Sequence, residues 1–166
     1  MSAEASAPPP ALTYRSERPK DGPAVEALLD RAFGPGRFVK ISERVREFAD
    51  FASELTVCAL RGERLVGVCR IWRVRVGDER VAFLGPLAVD PDERSAGVGA
   101  EMVARASAAA EAAGEAGVLL VGDEPYFRKL GFAIAPKVRM PGPVDPRRVL
   151  TRTFGDLSLE GAVRPR

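Results

Sequence analysis

The chain has 166 residues, 46% of them hydrophobic and 29% charged, the size and balance of one soluble globular unit. A chain of this length can bury a core without metal or disulfide staples. The net charge of +2 is too small an excess to imply a nucleic-acid binder. Histidine is absent, which excludes a Ser-His-Asp triad, a Cys-His pair, a His-based zinc helix and a histidine general base. Any catalysis must draw on carboxylates, Lys, Tyr, Cys, backbone dipoles, water or a bound cofactor. Cys58 and Cys69 are the only cysteines, too few for a Cys-rich zinc site, and no metal is expected. Both read as small core hydrophobes on one face of a hairpin. The N-terminus has neither a basic nor an apolar signal region, and no run approaches the roughly 20 apolar residues of a membrane span. A cytoplasmic protein with no membrane and no nucleic-acid partner is expected. The 21 Arg against 4 Lys, with abundant Ala, look like coding bias, so single surface arginines carry little weight.

Residues 1–11 are small, polar and proline-rich and read as a disordered leader, followed by one domain over 12–166. Leu12 to Glu17 is a candidate strand. Asp21 is placed to cap a helix with Pro23 in its first turn and Val25, Leu28, Leu29, Ala32 and Phe33 on one face. Gly34-Pro35-Gly36 stops it, and a second helix is predicted from about Ser42 to Ala52. Leu55 to Leu60, Leu65 to Val76 and Val81 to Val89 then form a three-stranded meander, with turns at Gly62 and at Gly77-Asp78. Val66, Val68, Arg70, Trp72 and Val74 are predicted on one face of the second strand. The third, VAFLGPLAV, is almost wholly apolar and so central, and Pro86 inside it implies a bulge or a splayed edge. A loop from Pro91 leads into an Ala-rich helix ending near Gly114, with Val98, Met102, Ala106, Ala109 and Ala113 on its buried stripe. Gly117 to Val121 is a short strand parallel to the third. A short helix at Tyr126 to Leu130 closes at Gly131, and the proline-rich remainder leaves room for one or two strands, the best being Arg148 to Phe154. The order β-α-α-β-β-β-α-β-α-β describes an α/β (α+β mixed) fold: a central mixed sheet with an antiparallel meander and flanking helices.

The stretch with chemical content is Leu84 to Phe132. Arg94-x-x-Gly97-x-Gly99 lies between a buried strand and a helix. Helix starts carry unsatisfied N–H groups and positive potential, and glycines let a phosphate approach the backbone, so this is an anion site or, on the plainer reading, simple turn chemistry. There is no P-loop signature, and a dinucleotide-binding glycine pattern would need Gly where Met102 stands.

The run LGPLAVDPDERSAGVGAEMVARA, then GVLLVG, then EPYFRKLGF resembles the GNAT (GCN5-related) N-acetyltransferases, most of all a bacterial subgroup that shares a Gly-Pro-Leu-Ala-Val strand. The family's acyl-CoA motif is Gln/Arg-x-x-Gly-x-Gly/Ala, and Arg94 to Gly99 matches each fixed position. Its next motif, an aromatic pair followed by Gly-Phe, matches Tyr126-Phe127 and Gly131-Phe132. The resemblance implies the acyl-CoA N-acyltransferase fold, with two central strands, Val81–Val89 and Gly117–Val121, splayed apart. It implies that Leu87, Ala88 and Val89 pair through their backbone with the pantetheine arm of acetyl-CoA. Arg94, Ser95, Ala96, Gly97, Val98 and Gly99 would cradle the pyrophosphate. The implied reaction is direct acetyl transfer to a primary amine of a small molecule or peptide, with no covalent enzyme intermediate and no metal.

One departure matters. Many members carry a proton-donating Tyr four residues before the Gly of Gly-Phe; here that position is Phe127, which would pack against the pantetheine or the core. Tyr126 is the remaining candidate acid, although helix neighbours point about 100° apart; its alternative is a packed aromatic with its hydroxyl on the backbone. The central strand has no ionisable group. Glu79, Asp90, Asp123 and Glu124 read as turn residues or caps, leaving water as the route for the amine proton. An acceptor pocket is expected between the first two helices, from Phe33, Arg37, Phe38 and the Arg70–Trp72 face, with Arg70 and Trp72 alternatively solvated and in the core. The missing tyrosine keeps a second possibility open: a CoA-binding module with little catalysis. Either a monomer or a homodimer fits.

Overall fold

The computed structural model describes residues 8, 10–34 and 41–166, without the side chains of Ser42, Arg94 and Ser95. Most of the predicted leader lies outside the described residues, as do Arg37 and Phe38. The end of the leader is held: Arg61 donates to the Pro10 carbonyl at 2.9 Å.

Strand β1 is Leu12–Ser16, helix α1 Gly22–Phe33 and helix α2 Ile41–Arg46. Strands β2 (Asp50–Phe51), β3 (Val57–Arg61), β4 (Arg64–Val76) and β5 (Glu79–Val89) follow, then helix α3 (Val98–Ala112). Strand β6 (Gly117–Val121), helix α4 (Glu124–Arg128) and strands β7 (Ala133–Ile134), β8 (Val138–Arg139), β9 (Val149–Thr153) and β10 (Gly161–Pro165) complete the chain. The sheet runs β1-β3-β4-β5-β6-β9-β7, antiparallel except where β6 joins β5.

The 13-residue β4 outruns its hairpin partner β3, so its far edge must be satisfied by other chain segments. Beyond β3, β2 pairs at Arg73 and Trp72, and β10 pairs from Val74 to Val76. This explains why α2 is shorter than predicted. Asp50 and Phe51 are drawn into the ladder, and the chain leaves the helix through a turn after Arg46.

Two bulges set which side chains face which layer. Between Ala59 and Leu60 the register slips by one residue on β4, which turns Val66 toward α3 while Val68, Trp72 and Val74 face the other side. Val57 pairs with Cys69 and Cys58 with Val68, so the two cysteines sit on opposite faces, contrary to the single face read from the sequence. Burial pushes both thiols up, Cys58 to about 12, which keeps them as inert packing groups.

Helix α3 buries Val98, Met102, Val103, Ala106 and Ala110 against one face of the sheet; Ala109 is only partly buried and Ala113, beyond the helix end, is exposed, so the predicted stripe holds only over the first turns. Gly67 on β4 lets the helix lie close: a Cβ there would sit 2.9 Å from the Met102 methyl. Helix α1 buries Val25, Leu28 and Leu29 against the opposite face, over Cys58, Val68 and Ala88. No helix among the described residues is long and apolar enough to cross a membrane.

Asp21 does not cap α1 as its position suggests. Its carboxylate accepts from Arg15 at 2.6 and 3.0 Å and from the Arg18 N–H at 2.7 Å, so β1 is pinned to the start of the helix. Arg15 holds this carboxyl down at about 2. The unfolded value is near ~4, so the stabilisation is complete above that pH and is lost as pH falls toward the folded value. Urea midpoints measured from neutral pH down to the acid limb should therefore fall less steeply between about 4 and about 2 in Asp21→Asn than in the wild type.

Candidate active site

Strands β5 and β6 touch at two pairs, Ala82 with Val118 and Phe83 with Leu119, and then diverge. On its other edge β5 stays paired with β4 as far as Val89. The divergence begins where β5 carries an extra residue: Cys69 opposes Leu87 and Ile71 opposes Leu84, which leaves Gly85-Pro86 against Arg70 alone. The sequence expectation of a bulge at Pro86 and of two splayed strands is met here.

A carbonyl displaced by a bulge needs a donor. The Gly85 carbonyl receives one from the Trp72 indole, Nε1 to O at 2.6 Å. Trp72 is 5% exposed, packs on Phe51 at 4.9 Å between ring centroids, and lies beneath the Arg46 guanidinium. It is thus a lock on the bulge from behind and does not line the opening itself.

The opening is a cavity of about 820 Å³ that passes through the sheet. On the α3 side it is lined by Leu87, Val89, Gly97, Gly99, Ala100, Tyr126 and Phe127, while Ala88 faces the α1 side. On the α1 side stand Ala32, Phe33 and Ile41, joined by Pro143 and Val144 from the segment before β9. That segment closes on α2, because a Cβ at Gly142 would lie 3.3 Å from Ile41 Cδ1.

The cradle at one end is built from backbone. Asp90 follows β5 and accepts from the Asp92 N–H at 3.1 Å, which starts the turn Pro91–Ala96. Glu93 anchors that turn to the sheet through Arg61 at 2.7 Å, and Arg61 holds its carboxylate below the usual range. Gly97 adopts φ 73°, a left-handed conformation that admits α3 directly behind the turn. The first-turn N–H groups of α3 then lack helical acceptors, and the helix dipole adds positive potential in front of them. A Cβ on Gly99 would meet the Tyr126 hydroxyl at 3.3 Å and Val89 at 3.6 Å, so glycine keeps a channel open there. Free N–H groups, positive potential and an open channel suit a pyrophosphate. Arg94 and Ser95 belong to the turn, but their side chains lie outside the described residues.

The aromatic pair divides its roles by burial. Phe127 is 8% exposed and packs edge-on to Phe132 at 5.8 Å. It fills the wedge beside β6, where a Cβ on Gly122 would lie 2.4 Å from its ring. Tyr126 is 42% exposed and lines the cavity, with its hydroxyl over Gly99. Burial, and next the neighbouring Cys69, raise its phenol, so it stays protonated at neutral pH.

Arg70, read from the sequence as a possible carboxylate anchor, does not line the cavity. It is 5% exposed, and Glu17 grips it at 3.0 and 3.3 Å while Glu26 takes its third nitrogen at 3.2 Å. A buried guanidinium needs such partners to offset desolvation, and this one has none to spare. Phe33 lines the cavity. The wall formed by Ile41, Pro143 and Val144 was not read from the sequence, because nothing in a proline-rich tail signals which part of the fold it will cover.

A mixed sheet opened between two parallel central strands, with a glycine-led helix start at the mouth, defines the acyl-CoA N-acyltransferase class of fold. The sequence profile of the acetyltransferase (GNAT) family matches residues 23–132, and the chain belongs to this family. Over 137 residues it is 29% identical to the uncharacterized N-acetyltransferase YhbS of Escherichia coli (strain K12), covering 79% of this chain and 81% of that protein. The crystal structure of Escherichia coli YhbS in complex with CoA has TM-score 0.79 and 25% identity, covering 96% of this chain and 92% of that one. A GNAT family acetyltransferase from Brucella melitensis, solved in complex with acetyl-CoA, shares the fold at TM-score 0.70 and 22% identity, covering 93% and 95%.

Trp72→Phe removes the donor and leaves the Gly85 carbonyl buried without a partner. A loss of about 1–3 kcal/mol in unfolding free energy is expected, measured by circular dichroism in urea. An unchanged midpoint would show that the bulge needs no lock.

Proposed function

We propose that the protein transfers an acetyl group directly from acetyl-CoA to a primary amine of a small molecule or peptide. The observation that carries this reading is the cavity through the sheet at the β5–β6 divergence, with the start of α3 at one end and an apolar chamber at the other. The solved relatives that hold CoA or acetyl-CoA support the choice of co-substrate.

Acetyl-CoA bound there supplies an activated carbonyl carbon; the amine nitrogen bonds to it as the C–S bond breaks, with the electron pair leaving on sulfur. The chain's part is to hold and orient. The backbone of Leu87, Ala88 and Val89 on the free edge of β5 aligns the pantetheine arm. Residues Arg94 to Gly99 receive the pyrophosphate, with Ala96, Gly97 and Val98 contributing backbone at the helix start. Tyr126 brings the one hydroxyl of α4 into the cavity, and in this reading its protonated phenol returns a proton to the departing sulfur. With no histidine in the chain, rate enhancement rests chiefly on holding the two reactants in line.

A second reading, a CoA-binding module with little turnover, is favoured by the burial of Phe127 in the core at the family's usual tyrosine position. Turnover decides between them. Acetyl-CoA consumption should rise with amine acceptors across a broad panel; tight CoA binding without turnover on any amine would support the module.

Two variants test the parts. Gly97→Glu places a negative side chain on a left-handed backbone position at the cradle and should abolish acetyl-CoA binding in calorimetry. Undiminished affinity would refute the cradle. Tyr126→Phe should lower kcat by about 10²-fold or more with acetyl-CoA affinity retained. An unchanged rate would assign protonation of the thiolate to solvent.

A further inference from the structure

Three charged residues among those described line the cavity: Asp123, Asp145 and Arg148. Asp145 is committed elsewhere, and Arg148 is anchored through one of its three guanidinium nitrogens. Asp145 accepts from the Arg147 backbone at 3.0 Å and is ion-paired with the Arg147 side chain, which holds its carboxylate down. Arg148 donates its Nε to the Gly122 carbonyl at 3.3 Å. The other carboxylates near the opening are also occupied. Asp90 caps its turn and meets Arg31 at 3.5 Å, and Glu124 is held by Arg128 at 2.6 Å.

Asp123 differs. It follows β6 where the strands diverge and holds the N-cap position of α4, where an aspartate ordinarily turns back onto helix N–H groups. It makes no such bond. Among the described residues its carboxylate has no hydrogen bond and no ion pair, although it stands exposed on the cavity wall. An uncommitted carboxylate at the edge of an apolar chamber attracts a cation that brings its own apolar body. Phe33, Ile41, Pro143 and Val144 supply the wall for that body.

We infer that Asp123 binds the ammonium of the acceptor, and that the acceptor class is a primary alkyl ammonium on an apolar body. This rests on the acetyl-transfer reading above and deepens it. The charge-assisted hydrogen bond brings the nitrogen to the divergence of the strands, beside the thioester position. The ammonium proton is released to solvent, to which this wall of the cavity is open. The nitrogen lone pair then forms the C–N bond as the C–S bond breaks. The second nitrogen proton balances the charge left on sulfur, so the products are amide, CoA thiol and one proton to solvent.

The test compares two acceptors in the full chain with acetyl-CoA. At neutral pH 2-phenylethylamine is cationic and aniline is neutral. Asp123→Asn should lower kcat/KM for 2-phenylethylamine by about 30-fold, mainly through KM, and for aniline by less than about threefold. Asp123→Glu should recover part of the loss, and the melting temperature of both variants should stay at the wild-type value. Equal losses on the two amines, or no loss on either, would overturn the assignment while leaving acetyl transfer in place. A wild-type protein that binds acetyl-CoA but acetylates neither these nor any other amine would overturn both.

Discussion

The structure depends on one constraint: a strand in the middle of a sheet must satisfy the backbone groups on both of its edges. Strand β5 does so along β4 but meets β6 at Ala82 and Phe83 only. From Leu84 onward its second edge faces an opening instead of a neighbour. That arrangement persists because the surrounding elements hold the two strands apart. Phe127 is wedged against Gly122, β6 is drawn along its whole length to β9, and the bulge at Gly85-Pro86 is tied off by the Trp72 indole. The cavity follows from this geometry, and its two ends follow from which helices cover the two faces.

Charge is arranged around the opening so that little of it competes there. Arg70 and Glu17 neutralise each other under α1, Arg61 and Glu93 brace the turn before α3, and Arg166 is paired with Glu115 at the far end of β4. Removing one partner from such buried pairs leaves an uncompensated charge, so these groups hold structure and are poorly suited to recruit a substrate. Among the described residues, the groups available at the cavity include backbone N–H at the start of α3, the Tyr126 hydroxyl, the Asp123 carboxylate and the terminal nitrogens of Arg148. This is a small set, consistent with chemistry in which the co-substrate carries the activated group.

Much of this was legible in the sequence because it is written in local patterns. The alternating, then continuous, apolar runs marked β4 and β5, Pro86 marked the bulge, and Gly97 with Gly99 before an Ala-rich stripe marked the start of α3. The short strands were not legible. Asp50–Phe51 and Gly161–Pro165 exist because β4 is longer than its hairpin partner, a requirement imposed from elsewhere in the chain. The face of each cysteine was lost to a single extra residue at Val66, since a register slip reverses every side chain beyond it. Arg70 looked like a surface cation until Glu17 and Glu26, 53 and 44 positions away, were brought to it. Asp123 looked like an ordinary cap, and only the absence of its capping bond distinguishes it.

The central claim is that the free edge of β5 and the start of α3 together receive acetyl-CoA. Amide hydrogen exchange with and without saturating acetyl-CoA tests it residue by residue, because protection reports local opening and new hydrogen bonds. Exchange should slow at Leu87 and Val89, whose N–H groups face the free edge, and at Val98, Gly99 and Ala100. Binding that leaves these amides unchanged and protects another region would contradict the account.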